Sequence, residues 1–252
     1  MVTFQFDWPF AWEVFFVCLK RVPVCFLAAT AAMFAGLVLG IPLAAARQGG
    51  RIRRGNSKNR GGKKLAALLA NAWVHLMRGV PTILLLLILY LSIRNGFNAL
   101  AARFHWTVKA TVIPAFWIAV LALGLSAGAF LSGSFLTALG AVDPGQREAG
   151  LSIGMTEGEI FRRIILPQAF PVALPLIGNQ YISMLKATSL IGYIGVVDIV
   201  QAGKIKATLS SNNMEAYFAE VLIYWGMTLL LEQVFLRLSR RAGQKNGLEA
   251  AG

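Results

Sequence analysis

The sequence predicts an all-α integral membrane protein with about five transmembrane helices. Of its 252 residues, 57% are hydrophobic and only 14% are charged, whereas an average soluble domain carries roughly a quarter charged residues. Three uncharged runs, over residues 22–46, 110–142 and 164–185, are each longer than the roughly 20 apolar residues that cross a bilayer core. These observations exclude a soluble globular domain.

The first 21 residues have the features of a segment at the outer membrane interface. Trp8 and Trp12 stand among several phenylalanines, as in the aromatic belts of membrane proteins. A cleavable signal peptide begins with a basic region, and this opening is aromatic and acidic instead. We expect residues 1–21 to stay on the mature protein as an outer interfacial segment, in which residues 4–19 form either an interfacial helix or an outer extension of the first span.

The first and third uncharged runs are predicted to be spans that pack closely against other helices. Each carries two glycines four residues apart, Gly36 and Gly40 in the first and Gly124 and Gly128 in the third, and such small-residue faces let helices approach closely. The third run, 110–142, would be about 50 Å long as one helix. It must then tilt or project beyond the membrane.

The other three spans are less regular, and together they complete a transmembrane domain over residues 22–241. Arg78 and Pro81 interrupt the second apolar region, which predicts an elbow followed by a span from about 79 to 93. The fourth span is predicted from Pro167 to roughly residue 197, and the fifth from about 216 to 236.

Positive charge sets the predicted orientation. The loop over 47–64 contains eight basic residues and no acidic one, and more arginines precede the tail over 242–252. By the positive-inside rule both lie in the cytoplasm, so that five spans place the N-terminus outside. Basic glycine-rich segments also bind RNA phosphates, but beside a span we favour contact with anionic membrane lipid and expect no nucleic acid partner.

Local capping signals are densest in the third loop, over residues 143–167. Asp143 and Pro144 are typical of a helix start, and Gly154 can end that helix in the left-handed conformation. Thr156 and Glu159 then form a capping box for a second helix that ends at Pro167. The sequence therefore predicts a rigid two-helix device on the cytoplasmic side.

This loop resembles the EAA loop in the membrane subunits of ATP-binding-cassette (ABC) importers. The pattern is EAA, three residues, G, nine residues and I-x-L-P, and it is matched by Glu148, Ala149, Gly150, Gly154, Ile164, Leu166 and Pro167. The segments MRGVP and LKATSL resemble those of the polar amino acid permeases for histidine, glutamine and cystine. The chain is thus similar to a permease subunit of that family over nearly its whole length.

The resemblance implies a type I importer fold and a set of partners in a bacterial cytoplasmic (inner) membrane. These are a second permease chain, identical or paralogous, two ABC ATPase subunits docked on the EAA loop, and an extracytoplasmic solute-binding protein. This chain has no G-x-x-x-x-G-K-[ST] phosphate loop. We therefore expect a transport subunit that is not an enzyme, binds no cofactor and takes its energy through contact with the ATPase.

The substrate pathway is predicted from polar residues within the spans. Asn179, Ser183 and Lys186 recur on one face of the fourth span, with Gln180 beside them, and ionisable groups in spans usually face a pathway. Lys186 can instead be an interfacial lysine at the outer end of the span. Arg78 either faces the pathway or anchors the end of the second span. We expect no metal site, because the two histidines share no ligand cluster.

One departure from the family pattern leaves the substrate open. Relatives often carry a glutamate and an arginine in the third span, where this chain has Gly133 and Leu136. Homodimer and heterodimer both remain possible, and so do cystine-like, basic and polar amino acids. The alternative functions are a secondary transporter or channel and a membrane-embedded enzyme, but neither accounts for the EAA spacing.

The charge asymmetry yields a testable orientation. A protease applied from the cytoplasmic side should cut between residues 51 and 64 and near Arg240, because basic segments are retained on that side. Fragment masses from inside-out and right-side-out vesicles measure this. Cleavage at these positions only from the outer face would overturn the orientation.

Overall fold

The computed structural model describes residues 6–49, 60–208, 210 and 212–245. Most of the basic loop and the end of the tail, on which part of the predicted orientation depends, lie outside them. Ten α-helices occupy the described part: α1 Trp8–Leu19, α2 Val22–Gly49, α3 Arg60–Gly79, α4 Thr82–Arg103, α5 Ala115–Gly140, α6 Pro144–Ser152, α7 Glu157–Ile160, α8 Leu166–Ala187, α9 Ile199–Thr208 and α10 Asn213–Lys245.

The predicted all-α fold with five spans is confirmed for the described part of the chain. Five stretches there are long and apolar enough to cross a membrane: Val22–Gln48, Thr82–Arg103, Ala115–Gly140, Glu157–Ile194 and Asn213–Gln244. The fourth combines α7, a π-helical turn over Phe161–Ile165, α8 and a 3-10 segment over Thr188–Ile194.

The centre of the bundle is the contact between α2 and α5. A β-carbon at Gly36 would lie 2.6 Å from the Ala127 β-carbon, and one at Gly128 would lie 2.9 Å from the Leu39 β-carbon. Real β-carbons do not approach this closely, so only glycine permits the spacing. The two small-residue faces noted in the sequence therefore pack against each other, at the middle of the main apolar core.

The second apolar region contains a helix break at the predicted elbow. Helix α3 ends at Gly79, and α4 begins at Thr82 directly after Pro81. Proline has no N–H and disfavours helical geometry in the residue before it, here Val80. The span then continues to Arg103, ten residues beyond the predicted end.

The prediction of one continuous third span over 110–142 is wrong. Helix α5 begins at Ala115, after Pro114, and ends at Gly140. A separate 3-10 turn occupies Ala110–Val112, where the Ala110 N–H donates to the Asn98 side-chain oxygen at 2.9 Å. The 26 residues of α5 extend about 39 Å. The shorter helix needs less tilt than the predicted one.

The prediction that the second loop helix ends at Pro167 is also wrong. The chain remains helical from Glu157 to Ala187 by way of the π turn over Phe161–Ile165, in which the Leu166 N–H donates to the Phe161 carbonyl five residues earlier. In a regular α-helix the Pro167 ring would clash with the carbonyl four residues before it. The wider turn falls at this point, so the loop helix and the fourth span form one continuous rod.

A short helix that the sequence did not predict follows the fourth span. Helix α8 ends at Ala187, and α9 lies in a segment that was predicted to be a connecting loop. Fully buried Asp198 caps α9, since its Oδ1 accepts from the Gln201 N–H at 2.8 Å. Helix α1 packs against α9 and α10, and the Asp7 N–H donates to Glu215 Oε1 at 3.0 Å.

The burial of Asp198 predicts a pH-dependent stability. Burial raises the pKa of this carboxyl from 3.8 to about 6, and its Oδ2 accepts no hydrogen bond. The folded state thus holds the proton more tightly than the unfolded state. Protonated Asp198 contributes up to about 3 kcal/mol to the free energy of unfolding, and this contribution is complete below about pH 4. It is lost as the pH rises from about 4 to about 6 and is absent at higher pH.

Thermal unfolding between pH 4 and pH 8 in detergent measures this contribution. Asp198→Asn keeps an acceptor for the Gln201 N–H but cannot ionise, so its melting temperature should vary less over this range than that of the unmodified protein. If the melting temperature of Asp198→Asn varied with pH as much as that of the unmodified protein, Asp198 would not be the source of the pH dependence.

Candidate functional site

The loop between α5 and α8 folds as a helical hairpin, here called the hairpin, over residues 143–165. Helix α6 begins at Pro144, and Asp143 Oδ1 accepts from the Gly145 N–H at 2.6 Å. Gly154 has φ of 82°, in the left-handed region, as predicted. The Met155 N–H donates back to the Gly150 carbonyl at 3.0 Å, which is the bond of a Schellman turn.

The second arm of the hairpin begins with the predicted capping box. The Glu159 N–H donates to Thr156 Oγ1 at 3.4 Å, and the Thr156 N–H donates to Glu159 Oε2 at 3.0 Å. This reciprocal pair satisfies backbone donors that the start of α7 leaves open. Because α7 runs through the π turn into α8, this arm is rigidly attached to the fourth span.

Two contacts hold α6 against the second arm. A β-carbon at Gly150 would lie 2.7 Å from Ile160 Cγ1 and 3.4 Å from Ile164 Cδ1, and Ile160 is fully buried. The Arg147 guanidinium forms a two-pronged ion pair with Glu157, in which Nε donates to Oε2 at 3.0 Å. Gly150, where the family pattern prefers alanine, therefore serves packing inside the hairpin.

The opposite side of the hairpin is exposed. Glu148, Ala149 and Gly154 lie on this surface, together with Leu151, which is 43% exposed, and Ile153, which is 77% exposed. Leu151 and Ile153 were not predicted as functional surface residues from the sequence. Their signal was available in the sequence: Leu151 and Ile153 stand three residues and one residue before the turn glycine, at the end of a largely polar helix.

The remaining residues of the EAA pattern lie on the rod that leads to the fourth span. Ile164 is half-buried under α6, whereas Leu166 and Pro167 are exposed. A cleft of about 380 Å³ separates α6 from the end of α5 and is lined by residues that include Leu136, Leu139 and Glu148. Helix α6 thus rests on the second arm, with open space between it and α5.

The predicted polar face of the fourth span is exposed along α8. Asn179, Ser183 and Lys186 are all exposed, whereas the intervening Ile182 and Leu185 are buried in the core. The structure therefore brings these three polar residues together on one surface. Gln180 is half-buried beside them, and its amide nitrogen has no hydrogen-bond partner.

Arg78 lies apart from the polar residues of α8. Its Nη2 donates to the carbonyls of Ala129 and Phe130, each at 3.3 Å, and its guanidinium carbon is 5.1 Å from the centre of the Phe130 ring. These partners all belong to α5. Arg78, at the end of α3, thus binds the backbone in the middle of the third span.

Comparison with known proteins identifies this architecture. Residues 36–244 match a family described as the inner membrane component of binding-protein-dependent transport systems. The chain is 34% identical over 236 residues to the probable amino-acid permease YxeN of Bacillus subtilis (strain 168), covering 92% of this chain and 95% of that protein. It is 35% identical over 178 residues to the L-cystine transport system permease TcyL of the same organism, covering 71% and 72%.

A solved structure agrees with the sequence relatives. The crystal structure described as an amino acid ABC transporter with histidines matches with a TM-score of 0.75 and 27% identity, over 94% of this chain and all of that one. The match confirms the predicted type I importer fold. With its five spans and its rigid hairpin, the chain belongs to the family of inner membrane components of binding-protein-dependent transport systems.

Proposed function

We propose that this chain is the permease subunit of an ABC importer for a polar amino acid in a bacterial cytoplasmic membrane. Together with a second permease chain it forms the solute pathway, and a solute-binding protein delivers substrate at the outer face. Cytoplasmic ATPase subunits supply energy through the hairpin. The single observation that carries this proposal is the hairpin, a rigid element that presents an exposed apolar surface.

The exposed surface of the hairpin suits a protein partner. Leu151 and Ile153 lie at the exposed end of α6, where apolar side chains gain nothing from exposure to water, and Glu148 and Ala149 adjoin them. The chain has no phosphate loop of its own, so the energy of ATP must reach it by contact. Docking of Glu148, Ala149, Leu151 and Ile153 in a groove of the ATPase provides that contact.

The construction of the hairpin suits the transmission of force. Helix α6 is fixed to the second arm by the Gly150 contact and by the Arg147–Glu157 ion pair, and that arm is continuous with α8. The cleft between α6 and α5 leaves room for movement. A push on α6 would therefore move the fourth span as a rigid body.

The orientation follows from the charges of the sequence. With the basic loop and the tail in the cytoplasm, the segment between α5 and α8 also lies in the cytoplasm, because an even number of spans separates it from them. This places the hairpin on the side of the membrane where ATP is available. The N-terminus and α1 then lie at the outer face.

A second permease chain is supported by the polar face of α8. Asn179, Ser183 and Lys186 would face lipid if this chain were alone in the membrane, which is costly for polar and charged groups. Pairing α8 with its counterpart in a second chain would cover them and enclose a polar route. Lys186 would offer a cation to the carboxylate that every amino acid carries.

The relatives indicate the class of solute. Proteins named as amino-acid and L-cystine permeases match over most of this chain, which favours a polar amino acid and includes the sulfur-containing ones. The direct test is co-purification of the chain with an ATPase subunit, followed by ATP-dependent uptake of amino acids into vesicles. Absence of an associated ATPase would contradict the proposal.

The turn at Gly154 gives the sharpest test of coupling. A β-carbon there meets nothing within 4 Å, but φ of 82° is strained for a β-branched residue by about 1–2 kcal/mol. Gly154→Val should therefore tilt α6 on its second arm without affecting the five spans. We expect loss of the ATP hydrolysis that loaded binding protein stimulates, measured on the reconstituted complex.

Gly158→Val is the matched control for this substitution. Gly158 lies four residues further on in α7, has no positive φ and also has open space around its β-carbon position. It should retain stimulated hydrolysis. Normal transport by Gly154→Val, with its ATPase retained on purification, would remove the turn from the coupling mechanism.

The polar face of α8 is tested at Lys186. If its ammonium contacts the substrate carboxylate, Lys186→Ala should lower uptake about tenfold or more, because a hydrogen bond to a charged group is lost. Assembly and binding-protein-stimulated ATP hydrolysis should persist. Lys109→Ala, at another exposed lysine outside the spans, should transport normally. Unchanged uptake by Lys186→Ala would identify Lys186 as an interfacial lysine without a transport role.

A further inference from the structure

We propose that Gly133 provides the space in which the Arg78 guanidinium lies. We further propose that Arg78 is a positioning residue that fixes the elbow between α3 and α4 against α5. The contact itself does not depend on the function proposed above. Its role in coupling rests on that function. The two parts are therefore tested separately.

The absence of a side chain at Gly133 is what makes room for the guanidinium. A β-carbon there would overlap Arg78 Nη2 and would lie 3.1 Å from Cζ and 3.4 Å from Nη1. Gly124 and Gly128, on the same helix, face α2 instead. Gly133 therefore has a separate role from the glycines that pack the two central helices.

The guanidinium contacts a stretch of α5 that is long and apolar enough to span a membrane, where a cation needs partners. Ala129 and Gly133 stand about 16 Å and 10 Å from the end of α5 at Gly140. The carbonyls of Ala129 and Phe130 and the Phe130 ring stabilise the charge. Among the described residues no carboxylate lies within 4.0 Å of Arg78. The α5 backbone carbonyls beside Gly133 therefore take the place of a carboxylate partner for Arg78.

The position of Arg78 in the chain makes the contact mechanically useful. Arg78 is the second-last residue of α3, and the break at Val80 and Pro81 follows directly before α4. Helix α5, on the other side of the contact, leads at its end into the hairpin. Nearby, Val74 and Leu85 pack with Ala129 in a small apolar cluster that also joins the elbow to α5. A movement of α5 would thus be carried to α4 through this contact.

The contact is tested by a double-mutant cycle on the full-length chain in detergent. An added methyl at Gly133 should displace the guanidinium, because Arg78 is flexible and α5 is packed. Gly133→Ala should lower the melting temperature, or leave it unchanged where the gain in helix propensity offsets the loss. In the Arg78→Ala background the same substitution should raise it. We expect the two effects of Gly133→Ala to differ by roughly 3 °C or more.

Two glycines provide matched controls. Gly226 in α10 has open space at its β-carbon position, so Gly226→Ala should have the same small effect in both backgrounds. Gly128→Ala meets Leu39 on α2 and should be harmful to the same extent with or without Arg78. Equal effects of Gly133→Ala in the two backgrounds would overturn the contact.

The role in coupling is tested by the ratio of substrate taken up to ATP hydrolysed in proteoliposomes, which a merely smaller amount of folded complex would not change. Arg78→Ala and Gly133→Ala should each lower this ratio several-fold, and the double variant should be no worse than either. KM for the loaded binding protein should stay unchanged, and Arg78→Lys should restore part of the ratio by reaching one carbonyl.

Unaltered ratios in both single variants, with wild-type uptake present, would overturn the positioning role alone. Absence of ATP-dependent uptake in the wild type would instead overturn the proposed function and the coupling role with it, whereas the melting cycle would still decide the contact.

Discussion

The close approach of α2 and α5 is the constraint on which the other helices depend. Without β-carbons at Gly36 and Gly128 the two backbones come near enough for their side chains to interlock. In a bilayer such packing is a main source of helix association, because lipid is as apolar as the side chains. Helices α3, α4 and α8 all pack against α5, so the position of each is set relative to this central pair.

Arginine side chains secure the same central helix from its flanks. Arg47 at the end of α2 donates through Nε to Asn71 on α3 at 2.8 Å and through Nη1 to Ser132 on α5 at 2.9 Å. Arg78 reaches α5 from the elbow. The third span contains no charged residue, and the contacts that these two arginines make with it are to neutral oxygens. Hydrogen bonds of this kind persist in a low dielectric, where an unsatisfied charge would be expensive.

The hairpin differs from the bundle in how its position is determined. Its shape is fixed by local contacts, namely a glycine turn, a capping box, the Arg147–Glu157 ion pair and the packing of Ile160 against Gly150. Because these contacts lie within about twenty residues of sequence, the hairpin can keep its shape while it moves. Its second arm continues into α8 through the π turn, and this continuity makes a compact surface element part of the membrane bundle.

The sequence by itself determined the class, the five spans, the hairpin and the family, because these depend on local signals: apolar length, caps, turn glycines and motif spacing. Prolines misled it. Pro114 starts a helix that was predicted to begin earlier, whereas Pro167 sits in a helix that was predicted to stop, since a π turn accommodates its ring. Only the tertiary structure decided which faces meet: that Gly150 packs on Ile160 and that Gly133 receives Arg78. Such contacts join residues distant in sequence, and helical periodicity alone does not specify which partner a face will have.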